Sequence, residues 1–392
     1  MELERIQSAL RQGNLDGWLF YDHHNRDAIA ARILGRDRSK MATRRWYYFI
    51  PANGTPIKLV HKIEQGQLDG LPGEKLVYLP WQEQHSQLKK MLSNSKRIAM
   101  QYSPNNNIPY VSIVDGGTLE LIRSFGVEVV TSANLVSEFE SYIDEEGMQT
   151  HIKAGEVMQM VKDEAFKEIR RRLDKGINPT EYEIQQYMVD IIHNNGLEYD
   201  DPPIVAVNEH AADPHFEPQK EGSSIMKEGD LVLLDLWAKL QQPRSIYYDI
   251  TWMGYIGNNI PEKINNIFHI ATGARDAALS LVKEKFAKNE PLRGCDLDDY
   301  TRKYIADRGY GDAFIHRTGH NIGEEVHGNG THIDNLETCD DRFIIKGSCF
   351  SIEPGIYLPD EKLGFRTEID VFIDKNGGVH VFGPIQQEIV KI

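Results

Sequence analysis

Three imidazoles within twelve residues constrain this chain more than any other feature. Residues 313–328 read A-F-I-H-R-T-G-H-N-I-G-E-E-V-H-G, so His316, His320 and His327 lie four and then seven residues apart. On a helix, histidines at i and i+4 would offer one face to a zinc ion. Here Gly319 lies between them and Gly323 follows, and glycine weakens a helix interior by roughly 0.5–1 kcal/mol each time. An irregular or extended segment with close backbone approach is expected instead. A lone histidine is most often a packed or surface residue. Three become a site only if carboxylates elsewhere in the chain join them.

The flanking chain offers such carboxylates. Asp235 interrupts the apolar run 231–237, and Asp249 sits in the next run, 247–252. Glu353, in F-S-I-E-P-G-I-Y, and Glu368, in F-R-T-E-I-D-V-F-I, fall in runs 349–356 and 364–373, read as the final strands. One acid in a strand is by default an outward-facing residue. Four strands each carrying one acid are harder to dismiss, because a buried charge is costly unless paired or metal-bound. With His320 they would make a donor set for two divalent ions of the Mn, Fe, Co or Zn type.

Composition sets the outer limits. The 392 residues are 40% hydrophobic and 26% charged, an ordinary globular balance with material for two or three domains. Forty-four basic against 59 acidic residues give a formal charge of −15, which disfavours nucleic acid and anionic membranes as partners. Cys295, Cys339 and Cys349 are odd in number and lack CxxC spacing, which argues against a disulfide framework or a Cys-rich zinc site. The N-terminus has no apolar signal region and no run reaches membrane-spanning length, so a cytoplasmic location is expected.

Along the first third, short apolar runs near 17–21, 46–50, 56–60, 76–79, 97–100 and 127–130 alternate with helical stretches at 2–12, 26–34, 83–92 and 117–125. Asn53-Gly54 is a turn between antiparallel strands. This pattern predicts an α/β layer domain over 1–140. His23 and His24 read as solvated or capping residues, and Arg44-Arg45 as exposed. Beyond the boundary, helices are predicted at 154–174 and from Asn178-Pro179-Thr180-Glu181 onward, with Pro179 early in the helix. Strands at 203–207, 231–237 and 247–252 and helices at 262–287 and 296–308 lead into the histidine-rich stretch.

The order Asp235, Asp249, His320, Glu353, Glu368, with G-H-x-I-G, V-H, E-P-G-I-Y and an R-x-E pair, resembles the pita-bread metallopeptidases of family M24. Methionine aminopeptidase, Xaa-Pro aminopeptidase, prolidase and creatinase belong to that family. The resemblance covers residues from about 150 to 385, and the upstream domain looks like that of the creatinase, prolidase and Xaa-Pro aminopeptidase branch. It implies a creatinase-type α/β domain over 1–140 and an α+β pita-bread catalytic domain over 141–392. It further implies that Asp235, Asp249, His320, Glu353 and Glu368 hold two divalent ions, manganese foremost, with cobalt, iron or zinc as alternatives.

Further roles follow only from the same resemblance. His215, in A-D-P-H-F, matches a histidine that stabilises the tetrahedral intermediate or shuttles protons. His327 matches one that contacts substrate, and Arg366 an arginine beside the metal cluster. His316 stands where the Xaa-Pro branch has a histidine lining the proline pocket, and Tyr357 follows E-P-G-I as it does there. Glu353 is the carboxylate expected to move the water proton.

The chain also departs from the family pattern. Asp235 and Asp249 are more widely spaced, with Gln241-Gln242-Pro243-Arg244 between them, which a longer hairpin loop absorbs because closure entropy grows slowly. Trp252 replaces a frequent Arg. Glu324-Glu325 replaces a more apolar pair and reads either as a solvated turn or as acids facing the cleft.

The expected activity is hydrolysis of Xaa-Pro bonds in short peptides, by an aminopeptidase or a dipeptidase, through a water activated between two ions. A homodimer is implied. Two rivals stand beside it: a non-peptidase hydrolase or lyase acting on a small carboxylate or amide, and a binding module without catalysis.

Overall fold

Period-two alternation builds the N-terminal part. Strands β1 (Gly17–Asp22) and β2 (Trp46–Pro51) send Trp18, Phe20, Trp46, Tyr48 and Ile50 into one buried cluster and Leu19, Tyr47 and Phe49 into another. A sheet buried on both faces needs helices on both. The computed structural model, which describes residues 2–392, supplies them within a first unit, Met1–Ser141. Helices α1 (Leu3–Gln12) and α2 (Ala28–Leu34) bring Ile6, Leu10, Ile29 and Ile33 to one face. Helices α3 (Trp81–Met91) and α4 (Gly116–Ser124) bring Leu88, Met91, Leu119 and Ile122 to the other, and α5 (Ala133–Phe139) returns to the first.

Strands β3 (Ile57–His61), β4 (Glu74–Tyr78), β5 (Arg97–Met100) and β6 (Glu128–Thr131) complete a mixed sheet in the order β4-β3-β2-β1-β5-β6. Gly54, at φ 100°, takes the turn between β2 and β3 in a conformation open to glycine.

The second unit is Tyr142–Ile392. Its first helix, α6 (Glu145–Asp174), starts well before residue 154, because Asp144 accepts the Gly147 N–H at 2.9 Å and caps it. Helix α7 (Glu181–Asn194) opens on a capping box of Thr180 and Glu183. Pro179 therefore precedes the cap instead of occupying the first turn.

Strands β7 (Leu197–Glu198), β8 (Ile204–Val207), β9 (Leu231–Leu240) and β10 (Tyr248–Tyr255) come next, then helices α8 (Glu262–Ala287) and α9 (Gly294–Ala306). The chain continues through β11 (Asn321–Ile322), β12 (Cys349–Ile352), β13 (Gly355–Leu358), β14 (Leu363–Arg366), β15 (Ile369–Ile373), β16 (Val379–His380) and β17 (Val390–Lys391). One sheet runs β17-β10-β9-β7 with β8 beside β9. A second runs β11-β12-β15-β16, and β13 pairs with β14.

Alternation again sorts the faces. Val232, Leu234 and Leu236 of β9 pack with Ala154, Met158 and Val161 of α6, while Leu231 and Leu233 pack with Ile267, Phe268 and Ala271 of α8. No helix among the described residues is long and apolar enough to cross a membrane.

The two C-terminal apolar runs are not continuous strands. Glu353 falls between β12 and β13, and Glu368 between β14 and β15. Pro354 has no N–H to continue a ladder. The backbone N–H groups of both glutamates leave their own strands: Glu353 donates to Thr318 O at 2.8 Å and Glu368 to Thr251 O at 3.3 Å. The two acids thus occupy strand breaks rather than strand interiors.

Candidate active site

Register brings the two aspartates to one face. In the antiparallel pair β9–β10, Asp235 stands opposite Thr251 and Asp249 opposite Trp237. All four residues share the β9–β10 face that carries Leu233 and Met253. Both aspartates are buried.

The histidine-rich segment adds its imidazole from the second sheet. Gly319 lies so close to Ser351 that an added Cβ would sit 2.0 Å from its carbonyl oxygen, which explains the glycine and the extended backbone. The Ser351 hydroxyl accepts the His320 N–H at 2.9 Å and donates to Glu353 Oε1 at 3.1 Å. His320 Nε2 lies 3.3 Å from Glu353 Oε1 and 3.6 Å from Asp249 Oδ2. Ligand atoms of Asp249, His320 and Glu368 all fall within 4.8 Å of one another. Of the five expected ligands, these three form the tight group. Glu353 joins through His320, and Asp235 instead pairs with Arg366 Nη2 at 2.5 Å.

The electrostatics of this group are those of too many acids in too little water. Burial above all, then the charges of Asp235, Asp370 and Glu353, holds the Asp249 pKa well above the usual carboxylate range. Glu368 is raised likewise by burial and then by Asp249 and Glu353. Burial lifts Glu353 to about 7 against the pull of Arg366 and Arg317. Burial, then His327 and Arg317, keeps His320 neutral. Asp249 Oδ1 and Glu368 Oε1 are buried and accept no hydrogen bond. A buried carboxylate oxygen without a donor is costly, and a hard or borderline divalent cation is the group that three carboxylates and an imidazole fit. The residues present are suited to hold a metal.

A hydrogen-bonded row borders the acids. Arg366 donates from Nη1 to the Tyr357 hydroxyl at 2.9 Å and from Nε to Thr251 Oγ1 at 3.2 Å. Thr251 in turn donates to Glu368 Oε2 at 2.8 Å. His316 Nδ1 lies 2.7 Å from Arg317 O, so that nitrogen carries the proton and Nε2 accepts from the Tyr357 hydroxyl at 2.8 Å. The His327 ring stands edge-on to His320 at 4.3 Å between centroids. His327 keeps solvent contact yet is crowded by protein atoms, and that desolvation, with Arg317 and His215, pulls its pKa down to about 4. His215 is exposed, and its charge is felt at His327. Glu324 and Glu325 are exposed.

Sequence reasoning passed over four supports. Asp370 is buried and accepts the Asp249 N–H at 2.7 Å. Its place as a second acid two residues after Glu368, inside the apolar run of β15, was the available signal. Thr251 bridges Arg366 and Glu368, Ser351 bridges His320 and Glu353, and neither carries a local mark. Asp298, far upstream, fixes Thr318 by accepting both its N–H and its hydroxyl.

Residues 151–375 match the sequence model of metallopeptidase family M24. An uncharacterized peptidase of Staphylococcus epidermidis is 26% identical over 350 residues, covering 87% of this chain and 88% of its own. A Xaa-Pro dipeptidase of Lactobacillus delbrueckii subsp. lactis is 32% identical over 179 residues, covering 44% of this chain and 42% of its own. The crystal structure of dipeptidase PepE from Mycobacterium ulcerans superposes with a TM-score of 0.70 at 21% identity, over 99% of this chain and 96% of its own. With the match spanning more than half of its length and the pita-bread architecture around the acids, this chain is a peptidase of metallopeptidase family M24.

Proposed function

We propose that the chain is a dinuclear-metal-dependent exopeptidase that cleaves Xaa-Pro bonds in short peptides, as a dipeptidase or an aminopeptidase. The observation that carries this reading is the pair of buried, unpartnered oxygens Asp249 Oδ1 and Glu368 Oε1 beside the neutral His320 imidazole. Asp235, Asp249, His320, Glu353 and Glu368 are the proposed ligands of two divalent ions. Manganese is preferred, and cobalt, iron or zinc suit the same donors. Ions held there supply a more acidic water and a polarised carbonyl.

The remaining work belongs to the protein. Glu353 takes the proton of the attacking water and passes it to the leaving nitrogen, so a C–O bond forms as the C–N bond breaks and the carboxylate is regenerated. His215 and His327 donate hydrogen bonds to the carbonyl oxygen as charge develops there. Arg366 holds Asp235 and Tyr357 in place, and His316 with Tyr357 lines the recess for the proline ring. The Xaa-Pro dipeptidase relative supports this specificity. A homodimer and a reducing, cytoplasmic setting belong to the same reading, the latter supported by three unpaired cysteines.

Release of amino acid from Xaa-Pro dipeptides, Xaa-Pro-Yaa tripeptides and non-proline controls, with and without Mn²⁺, tests the proposal. Metal-dependent cleavage of dipeptides alone marks a dipeptidase, and of tripeptides an aminopeptidase. No cleavage by protein carrying two ions per chain would sink the proposal and favour a hydrolase or lyase acting on a small carboxylate or amide.

A further inference from the structure

The N-terminal unit contains a cavity of about 800 Å³ that brings together Arg26, Arg44 and Arg45 with His23, His24, His61 and His85. In a chain of net charge −15, such a concentration of cationic and imidazole side chains against a single carboxylate, Asp115, needs a reason.

Three carboxylates bonded to this part of the chain are committed to its backbone. Asp22 Oδ1 accepts the backbone N–H groups of His23, Arg26 and Asp27 at 2.7, 2.8 and 3.2 Å. Glu64 accepts Thr43 N–H, Thr43 Oγ1–H and Arg44 N–H at 2.8, 2.6 and 3.1 Å. Asp115 caps α4 through both the N–H and the hydroxyl of Thr118. Each acid fixes backbone, and the guanidinium that Asp22 also faces, at 3.8 Å, belongs to Arg36, which does not line the cavity. Among the described residues Arg26, Arg44 and Arg45 take part in no ion pair.

The loop that carries two of the histidines is also strained. His24 and Asn25 sit at φ 66° and 54°, and the Asn25 side chain holds that shape by donating to Arg38 O and Lys40 O. The converging charge is felt at His23, whose pKa is lowered by burial and then by His24, Arg26 and Arg45.

Beside the cations stands an aromatic wall. Trp81 is 58% exposed and edge-on to His85 at 5.1 Å, and His61 meets Tyr78 edge-on at 5.0 Å. Tyr78 donates its hydroxyl to Arg45 O at 2.8 Å, tying wall to cations.

We propose that this cavity binds a phosphorylated small molecule with a flat ring, of the nucleoside monophosphate class, its phosphate on Arg26, Arg44 and Arg45 and its ring against Trp81. Guanidinium forks match phosphate oxygens in pairs, and a dianion satisfies several where one carboxylate does not. The exposed indole offers a stacking face. The volume suits a single small ligand, and the acidic chain as a whole repels a polyanion.

Titration calorimetry of the full-length protein at low salt with AMP, adenosine and inorganic phosphate is the test. AMP is expected to bind at least about tenfold more tightly than either adenosine or phosphate, a difference of about 1.4 kcal/mol. Arg26→Ala and Arg44→Ala, both at exposed residues, should each weaken AMP and phosphate about tenfold with unchanged melting. Trp81→Ala should weaken AMP and leave phosphate as it was. No heat with AMP, or AMP binding that survives both arginine substitutions, overturns the proposal. Adenosine equal to AMP removes the phosphate half, and phosphate equal to AMP removes the ring half.

Discussion

Asp370 Oδ2 accepts the backbone N–H of Asp249 at 2.7 Å, joining strands of two different sheets at the rim of the acidic cluster. The bond sets the position of Asp249 from behind. His151, equally buried, stands 3.9 Å away and gives its other nitrogen to Tyr247 O. Asp370→Ala strands a buried N–H and should cost about 1–3 kcal/mol of stability, with Mn²⁺ affinity reduced at least about tenfold. Asp370→Asn keeps an acceptor and should restore most of both. Equal damage in the two variants, by thermal melting and metal titration, would show that the charge matters and the acceptor does not.

Removing the Tyr357 hydroxyl cuts the row between Arg366 and His316. Tyr357→Phe leaves Arg366 Nη1 with only the Pro214 carbonyl at 3.3 Å. The loss of a hydrogen bond to a charged group predicts roughly 1.5–3 kcal/mol less stability. Because both neighbours border the proposed proline recess, KM for Xaa-Pro peptides should rise more than kcat falls. Unchanged steady-state constants would refute the link between this row and substrate.

Glu353→Gln separates metal binding from proton transfer. The amide keeps an oxygen near His320 but cannot take a proton from water, so turnover should fall about 100-fold or more. Metal content, measured by elemental analysis, should stay within about half of the wild-type value. Full turnover with bound metal would rule out Glu353 as the proton carrier.

Stability against pH has a sign that depends on the metal. In metal-free protein the raised carboxyl pKa values of Asp249, Glu368 and Asp370, with Glu353 at about 7, mean that the folded state holds protons the unfolded chain has released. Their contribution is therefore fully present below about pH 4 and is lost as pH rises through the folded values. Histidines act oppositely. His316, at about 3, and His327, at about 4, stay neutral when folded, so they favour folding above about pH 6.5 and cost stability below it. Between about pH 6.5 and 8 the histidine contribution is nearly complete and the carboxylates dominate. Chelator-treated protein should melt lower at pH 8 than at 6.5, and adding Mn²⁺ at pH 6.5 should release protons. A higher melting temperature at pH 8 without metal would contradict this assignment.

Much of the fold could be read from its short apolar runs. The runs at 17–21 and 46–50 are uniformly apolar, as strands covered on both faces must be, and β1 and β2 are so covered. The glycines of the histidine-rich segment correctly excluded a helix, since the backbone there presses against Ser351. The breaks at Glu353 and Glu368 were not legible, because they arise where backbone N–H groups turn to Thr318 and Thr251, partners remote in the chain. The early start of α6 was marked only by Asp144, one acid among many in a charged stretch. His23, His24, Arg44 and Arg45 looked like ordinary surface, and only the fold gathers them around one cavity.

The bonds that close the acidic cluster span great lengths of chain. Thr251 and Glu368 are 117 residues apart, and Asp235 and Arg366 are 131 apart. Strands β9 and β10 form a local hairpin and can pair soon after synthesis, but half of the acids wait for the final strands. Contacts of such separation form late in folding. A nascent chain therefore carries no complete cluster until its C-terminal strands have left the ribosome and docked. A peptidase that needs the whole proposed metal site is inert until this order is complete, and its own unfinished neighbours are safe from it.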